Sequence, residues 1–235
     1  MGQVPGEVVA AAFAVFNPAV VVPSVRYGWT LTDAATICEE RTAGAVEQLV
    51  RLLGAEPEGL VRARSLLERA TQPLRPEGRP LFSGLLSQGL PGEPLADVWR
   101  LADLLREYRG DAHTAAWTSA GFDGTEIGLL TELWFGLPMR SYSRTRGWSD
   151  DDFDQATERL RRAGLIDDDG LTTAGRARRE AIEESTDLQC RPIVDALGDD
   201  LDELVELLSE WSRTIVAGGG YPDAGAADLA RWATT

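Results

Sequence analysis

The chain has 235 residues, 43% of them hydrophobic, with a formal net charge of -15 and a pI near 4.5. That composition can fill a buried core in one domain or two, which excludes a disordered chain. The acidic balance also removes long-range attraction to nucleic acid or anionic lipid, so any basic contact surface has to be local.

The first predicted element is a short apolar helix over Gly6–Phe16. It ends at Asn17-Pro18, because a residue preceding proline is pushed out of the helical region. This helix shows valine, alanine and phenylalanine on nearly every side, and only residues 1–5 stand before it. It is therefore expected to need cover from elsewhere. It lacks the basic flank of a signal peptide, and no stretch reaches the roughly 20 apolar residues of a membrane span, so a soluble, cytoplasmic protein is expected. Thr32 or Asp33 caps a helix to Leu53 that stops at Gly54. A third helix runs from Glu58 to about Ala70. A loop rich in proline and glycine follows, from Gln72 to Pro94, long enough to suggest a function of its own.

The central helix is predicted from Pro94 to Ala120, closed by Gly121. Leu104, Leu105, Tyr108, Ala112, Ala115 and Ala116 form its apolar stripe by their spacing of three and four. Glu107, Arg109, Asp111 and His113, the chain's single histidine, lie in the same turns, and burying so many ionisable groups is costly unless they are paired or used. Gly110 inside this helix suggests that something approaches closely there.

Beyond Gly124 the expected order is a helix over Thr125–Phe135, a turn at Gly136–Pro138, an arginine-bearing segment Met139–Trp148, and a helix over Asp150–Ala163 capped by Ser149. A short strand at Gly164–Ile166, a turn at Asp167–Gly170, a return strand at Leu171-Thr172 and a helix from Thr173 to about Asp187 complete a winged helix-turn-helix. A last helix over Leu201–Val216 ends in the glycines Gly218–Gly220 and leaves a tail expected to be flexible. The fold class is thus mainly α: a helical N-terminal layer over residues 1–121, a winged-helix module with a short two-stranded wing over 122–187, and a C-terminal helix and tail over 188–235.

The stretch ERLRRAGLIDDDGLTTAGRARREAIEESTD resembles the recognition helix, wing and following helix of MarR-type regulators. With FNP near the start, GRPL, LLREYRGDAH, TRGWSDDDF and SRTIVAGGGYP, the chain resembles the actinobacterial SalDI-type MarR-like helix-turn-helix family over nearly its whole length. The resemblance implies some tens of residues ahead of VPGEVVAAAF in other members. A small partner polypeptide supplying that segment, with a dimer of such pairs as a further level, is therefore the favoured expectation, the alternatives being a second copy of this chain or a leading segment that has been trimmed away. It also points to antibiotic biosynthesis, where cofactor-free two-component cyclases form the aziridine of azinomycin-type azabicycles.

DNA is not expected as a partner. Asp150, Asp151, Asp152 and Asp154 open the recognition helix, and Asp167–Asp169 form the wing tip, the wrong sign for a phosphate-lined groove. The chemistry expected instead is proton transfer and anion binding to a small molecule, free or carried by a protein. Glu107 and Asp111, four apart, raise each other's pKa and with His113 are the candidate acid–base groups. Arg109, Arg144 and Arg146 are the candidate anion contacts. Asn17, Tyr108 and Trp148 are candidate pocket lining. No metal is expected, because Cys38, Cys190 and His113 lack ligand spacing, and both cysteines read as buried thiols. No nucleotide or phosphate-loop motif is present, so no cofactor is expected either. The alternatives are a MarR-like regulator, a non-catalytic small-molecule-binding protein, or a structural salt-bridge network in place of a site.

Overall fold

The structure is a computed structural model that describes residues 1–221. The expected end of the tail lies outside the described residues. The helices are α1 (Gly6–Phe13), α2 (Pro18–Gly28), α3 (Ala34–Leu53), α4 (Leu60–Thr71), α5 (Pro80–Leu86), α6 (Pro94–Ser119), α7 (Gly124–Trp134), α8 (Asp150–Arg162), α9 (Thr173–Leu197) and α10 (Leu201–Ala217). Strands β1 (Ile166–Asp167) and β2 (Gly170–Leu171) pair antiparallel, Ile166 opposite Leu171 and Asp167 opposite Gly170. The protein is therefore mainly α with a winged helix and a short wing.

The chain forms two compact units. One holds Met1–Gln3, Thr32–Gly110 and the described residues from Cys190; the other holds Val4–Leu31 and Asp111–Gln189. These boundaries differ from the divisions at 121/122 and 187/188 read from the sequence. Helices α6 and α9 each give residues to both units, and the first two helices group with the winged helix.

In the first unit the core is made by Leu60, Leu66 and Leu67 of α4, Phe82 of α5, Leu101, Leu104 and Tyr108 of α6, and Leu204 and Trp211 of α10. Burial of each such side chain contributes about 1.5–3 kcal/mol, and these contacts decide where the helices sit. Asp33 caps α3 by accepting from the Thr36 amide at 2.8 Å, and Gly54 closes it at φ 83°. Helix α3 buries no residue fully; Leu49 and Leu53 lean on the core while Ile37 and Val50 stay exposed. The loop from Gln72 to Pro94 is interrupted by α5, which Pro80 starts at a position where the missing amide proton costs nothing.

In the second unit α1 packs on α2, an element absent from the sequence reading. A Cβ on Gly6 would lie 2.7 Å from the Val22 backbone, so glycine is what lets the helices touch. Asn17 accepts from the Ala19 amide at 2.9 Å and opens α2, with Pro18 in its first turn. The first helix therefore has cover on the face of Gly6, Ala10 and Ala12, whereas Val8 and Phe13 stay exposed. Leu129, Leu130, Phe153, Leu160 and Ile166 make the winged-helix core. At the start of α9 a Cβ on Gly175 would overlap the Leu165 carbonyl oxygen, so helix and wing entry meet main chain to main chain. Helix α9 continues ten residues past the expected end at Asp187, through Pro192.

Candidate functional site

The surface a helix-turn-helix would present to DNA is acidic and internally paired. Ser149 caps α8 in a reciprocal box with Asp152, and its hydrogen bonds hold the Asp152 carboxyl below its usual range. Arg159 bonds Glu126 at 2.7 Å and also Asp123, which together raise its pKa against the effect of burial. Arg161 reaches Asp168 at 3.2 Å, Arg162 lies 3.7 Å from Glu158, and Arg140 bonds Asp154. Each arginine of α8 thus already meets a carboxylate of the protein. The wing tip exposes Asp167, Asp168 and Asp169.

Helix α6 carries the predicted acid–base residues. Glu107 and Asp111 are both buried, and Arg109 is exposed. In the first unit Glu107 pairs with Arg106, which also bonds Asp103 at 2.8 Å. Burial would raise the Asp103 carboxyl, but Arg41, at 2.7 Å, and Arg106 outweigh it and hold it below the usual value. Tyr108 belongs to the core: its ring stacks edge-on to Phe82 with centroids 5.1 Å apart, and the Arg79 guanidinium lies 3.9 Å above it. A Cβ on Gly110 would meet only Glu107 Oε2, at 3.5 Å, so the close approach expected there is absent.

His113 sits in a second array. Its Nδ1 is 3.1 Å from Thr186 Oγ1 and 3.7 Å from Glu183 Oε1. Thr186 gives its one hydroxyl proton to the Ile182 carbonyl at 2.8 Å, which leaves its oxygen to accept from Nδ1. Glu183 in turn bonds Arg179, a side chain only 2% exposed, which also reaches Thr131 Oγ1 at 3.3 Å and lies 4.9 Å over the Trp134 ring. The array is an imidazole oriented by a hydroxyl and a carboxylate, with a buried cation behind the carboxylate. Sequence reasoning found His113 and missed Arg179, Glu183 and Thr186. The available signal was Gly175, Arg179, Ile182 and Thr186 at helical spacing, all buried on one face of α9.

The remaining predicted residues gather at the link between α1 and α2. Asn17 donates through Nδ2 to the Gly147 carbonyl at 3.0 Å, Trp148 Nε1 donates to the Val15 carbonyl at 2.8 Å, and Arg146 lies 4.4 Å over Phe16 and 4.8 Å over Tyr142. Arg144 donates to the Arg140 carbonyl at 2.6 Å. Asn17, Arg146 and Trp148 thus fasten the 139–148 segment to the first helices. That segment is shaped by Glu132, another residue the sequence did not single out. Its buried carboxylate accepts from the amides of Arg140, Tyr142 and Ser143 at 2.6–2.7 Å and from the Ser143 hydroxyl at 2.8 Å.

A family model described as a helix-turn-helix family matches residues 1–222. The chain belongs to that helix-turn-helix family. The match extends beyond the winged helix to the helices before and after it. No curated protein and no solved structure matches this helix-turn-helix chain. Among the described residues no helix is long and apolar enough to cross a membrane, and no group of histidine, cysteine and carboxylate side chains could hold a metal ion. Cys38 and Cys190, expected to be buried, are only partly so, because α3 buries no residue fully and Cys190 lies at the edge of the first unit's core.

Proposed function

We propose that this helix-turn-helix protein acts on a small molecule by proton transfer and does not read DNA. The observation that carries the reading is the positioned imidazole: Thr186 and Glu183 lie 3.1 Å and 3.7 Å from Nδ1 of His113. The carboxylates already occupying the α8 arginines support the second half, since affinity for DNA depends on arginine and lysine neutralising phosphates.

In its finest form the reading is a cofactor-independent enzyme subunit of antibiotic biosynthesis, in the cytoplasm, that closes an aziridine. The substrate amine attacks the adjacent carbon, the carbon–oxygen bond to a sulfate ester breaks, sulfate leaves with the electron pair, and a base takes the amine proton. His113 is the base to test first, Asp111 and Glu107 the buried alternatives on α6, and Arg109 the contact for the departing anion. A small polypeptide covering the exposed Val8, Phe13, Val20, Tyr27 and Leu31 of the first helices and the turn after them is the partner in this reading.

Vicinal amino sulfate esters incubated with the protein and its partner, followed by NMR for sulfate release and ring closure, test the reaction. His113→Gln is expected to lower turnover at least 100-fold with the circular dichroism spectrum unchanged. Unchanged turnover in that variant would remove His113 as the base. A salt-dependent, sequence-selective gel shift on the gene's own upstream region would restore a regulator.

A further inference from the structure

The first unit holds a cavity of about 620 Å³ that the His113 reading does not involve. It is lined by α4, α5, the turn after α5, and α6. Half of its lining residues are leucine: Leu74, Leu85, Leu86, Leu90, Leu101 and Leu104. The size is that of a small-molecule site, and such sites are mainly apolar with few polar groups.

The polar wall is Ser65, Glu68, Arg69, Thr71 and Gln72, and its two charges are already balanced. Glu68 pairs with Arg64 at 3.2 Å. Arg69 bonds Asp200 and, through the same Nη2, the Leu197 carbonyl at 2.9 Å. Arg69 Nε, in contrast, is buried and has no hydrogen-bond partner. A buried donor without an acceptor costs about 1–3 kcal/mol, and native structures seldom leave one unsatisfied. Arg69 is itself a lining residue, so this N–H is the unpaired donor beside the cavity.

We propose that the cavity binds an uncharged, largely apolar molecule carrying one carbonyl oxygen, which accepts from Arg69 Nε. The leucine wall selects apolar bulk. The compensated charges of Arg69 and Glu68 give an anion or a cation no net attraction, and desolvating either would oppose binding. The single orphaned donor selects one acceptor.

Benzophenone tests this directly, because it presents a carbonyl between two apolar rings and labels neighbouring C–H bonds on near-ultraviolet irradiation. Diphenylmethane has the same shape without the acceptor, and 2-phenylbenzoate adds a charge. Titration by saturation-transfer NMR should show benzophenone binding at least 10-fold tighter than either analogue. Photolabel should map by mass spectrometry to residues 65–104. Leu86→Trp, which fills the cavity from its exposed rim, should weaken binding at least 10-fold, and Arg69→Lys, which keeps the ion pair but has no Nε–H, should erase the preference over diphenylmethane. The proposal is overturned if benzophenone binds no tighter than diphenylmethane, if the label falls outside the 65–104 segment, or if Leu86→Trp binds as the parent does.

Discussion

Two carboxylates of the winged-helix unit, one buried and one partly exposed, show opposite uses of one functional group. Glu132, 1% exposed, accepts from three amides and a hydroxyl, all donors that keep their protons at any working pH. Glu183 stands between a permanent cation, Arg179, and a ring that can gain or lose a proton, His113. The first arrangement has a single stable state and writes the shape of a loop. The second faces a side chain whose charge depends on protonation, the condition the proposed proton transfer needs. A buried charge is therefore no sign of chemistry in itself; the identity of its partners decides.

Breaking the first arrangement should have the largest effect. Glu132→Ala leaves three amides facing a site closed to water, and at about 1–3 kcal/mol for each unsatisfied group the loss of stability should be about 4 kcal/mol, read as a fall in the denaturant midpoint. A loss below about 1 kcal/mol would show that the loop is held by other means.

Removing the cation behind Glu183 should cost less, because Glu183 is partly exposed. Arg179→Met should destabilise by about 2 kcal/mol, and adding Glu183→Gln to it should restore part of that loss in a double-mutant cycle. Strict additivity of the two changes would mean that the pair does not act as a unit.

The smallest effect belongs to Asp103, whose arginine partners are largely exposed. Its carboxyl lies below the ordinary value in the folded state, so its contribution is present above the unfolded value of about 3.9 and disappears as pH falls through the folded one. The stability gap between the parent and Asp103→Asn should therefore be constant, under about 1 kcal/mol, from about pH 5 to 7, and close in stronger acid. A gap that widened on acidification would reverse the sign assigned to Arg41 and Arg106.

Much of the fold is legible in local signals. Gly121 and the spacing of Leu104, Tyr108, Ala112 and Ala116 gave α6, Ser149 with its aspartates gave α8, and the Asp167–Gly170 turn gave the wing. The misses share a cause: proline has a different meaning at each position. Pro18, expected to end the first helix, sits in the first turn of the second, while α1 already stops at Phe13 where Ala14 turns to φ 44°; Pro23 lies inside α2, Pro80 starts α5 within an apparent loop, and Pro192 is carried inside α9. Of the candidate residues, Glu107, Asp111 and His113 stood out in the sequence because charge interrupted an apolar stripe. Arg179 and Glu183 were not, because an arginine and a glutamate four apart on a polar helix look the same whether water or protein surrounds them.

The bonds from Glu132 have a consequence for sequence variation. At positions 140 and 142 it holds main-chain amides, which every residue except proline supplies, so the side chains there can be exchanged without redrawing the loop. Position 140 even favours a change, since Arg140 adopts φ 64°, a conformation that glycine or asparagine takes more readily. A library randomised at residues 140 and 142, with Glu132 and Ser143 kept, would alter the chemistry of this surface while its backbone stays as it is.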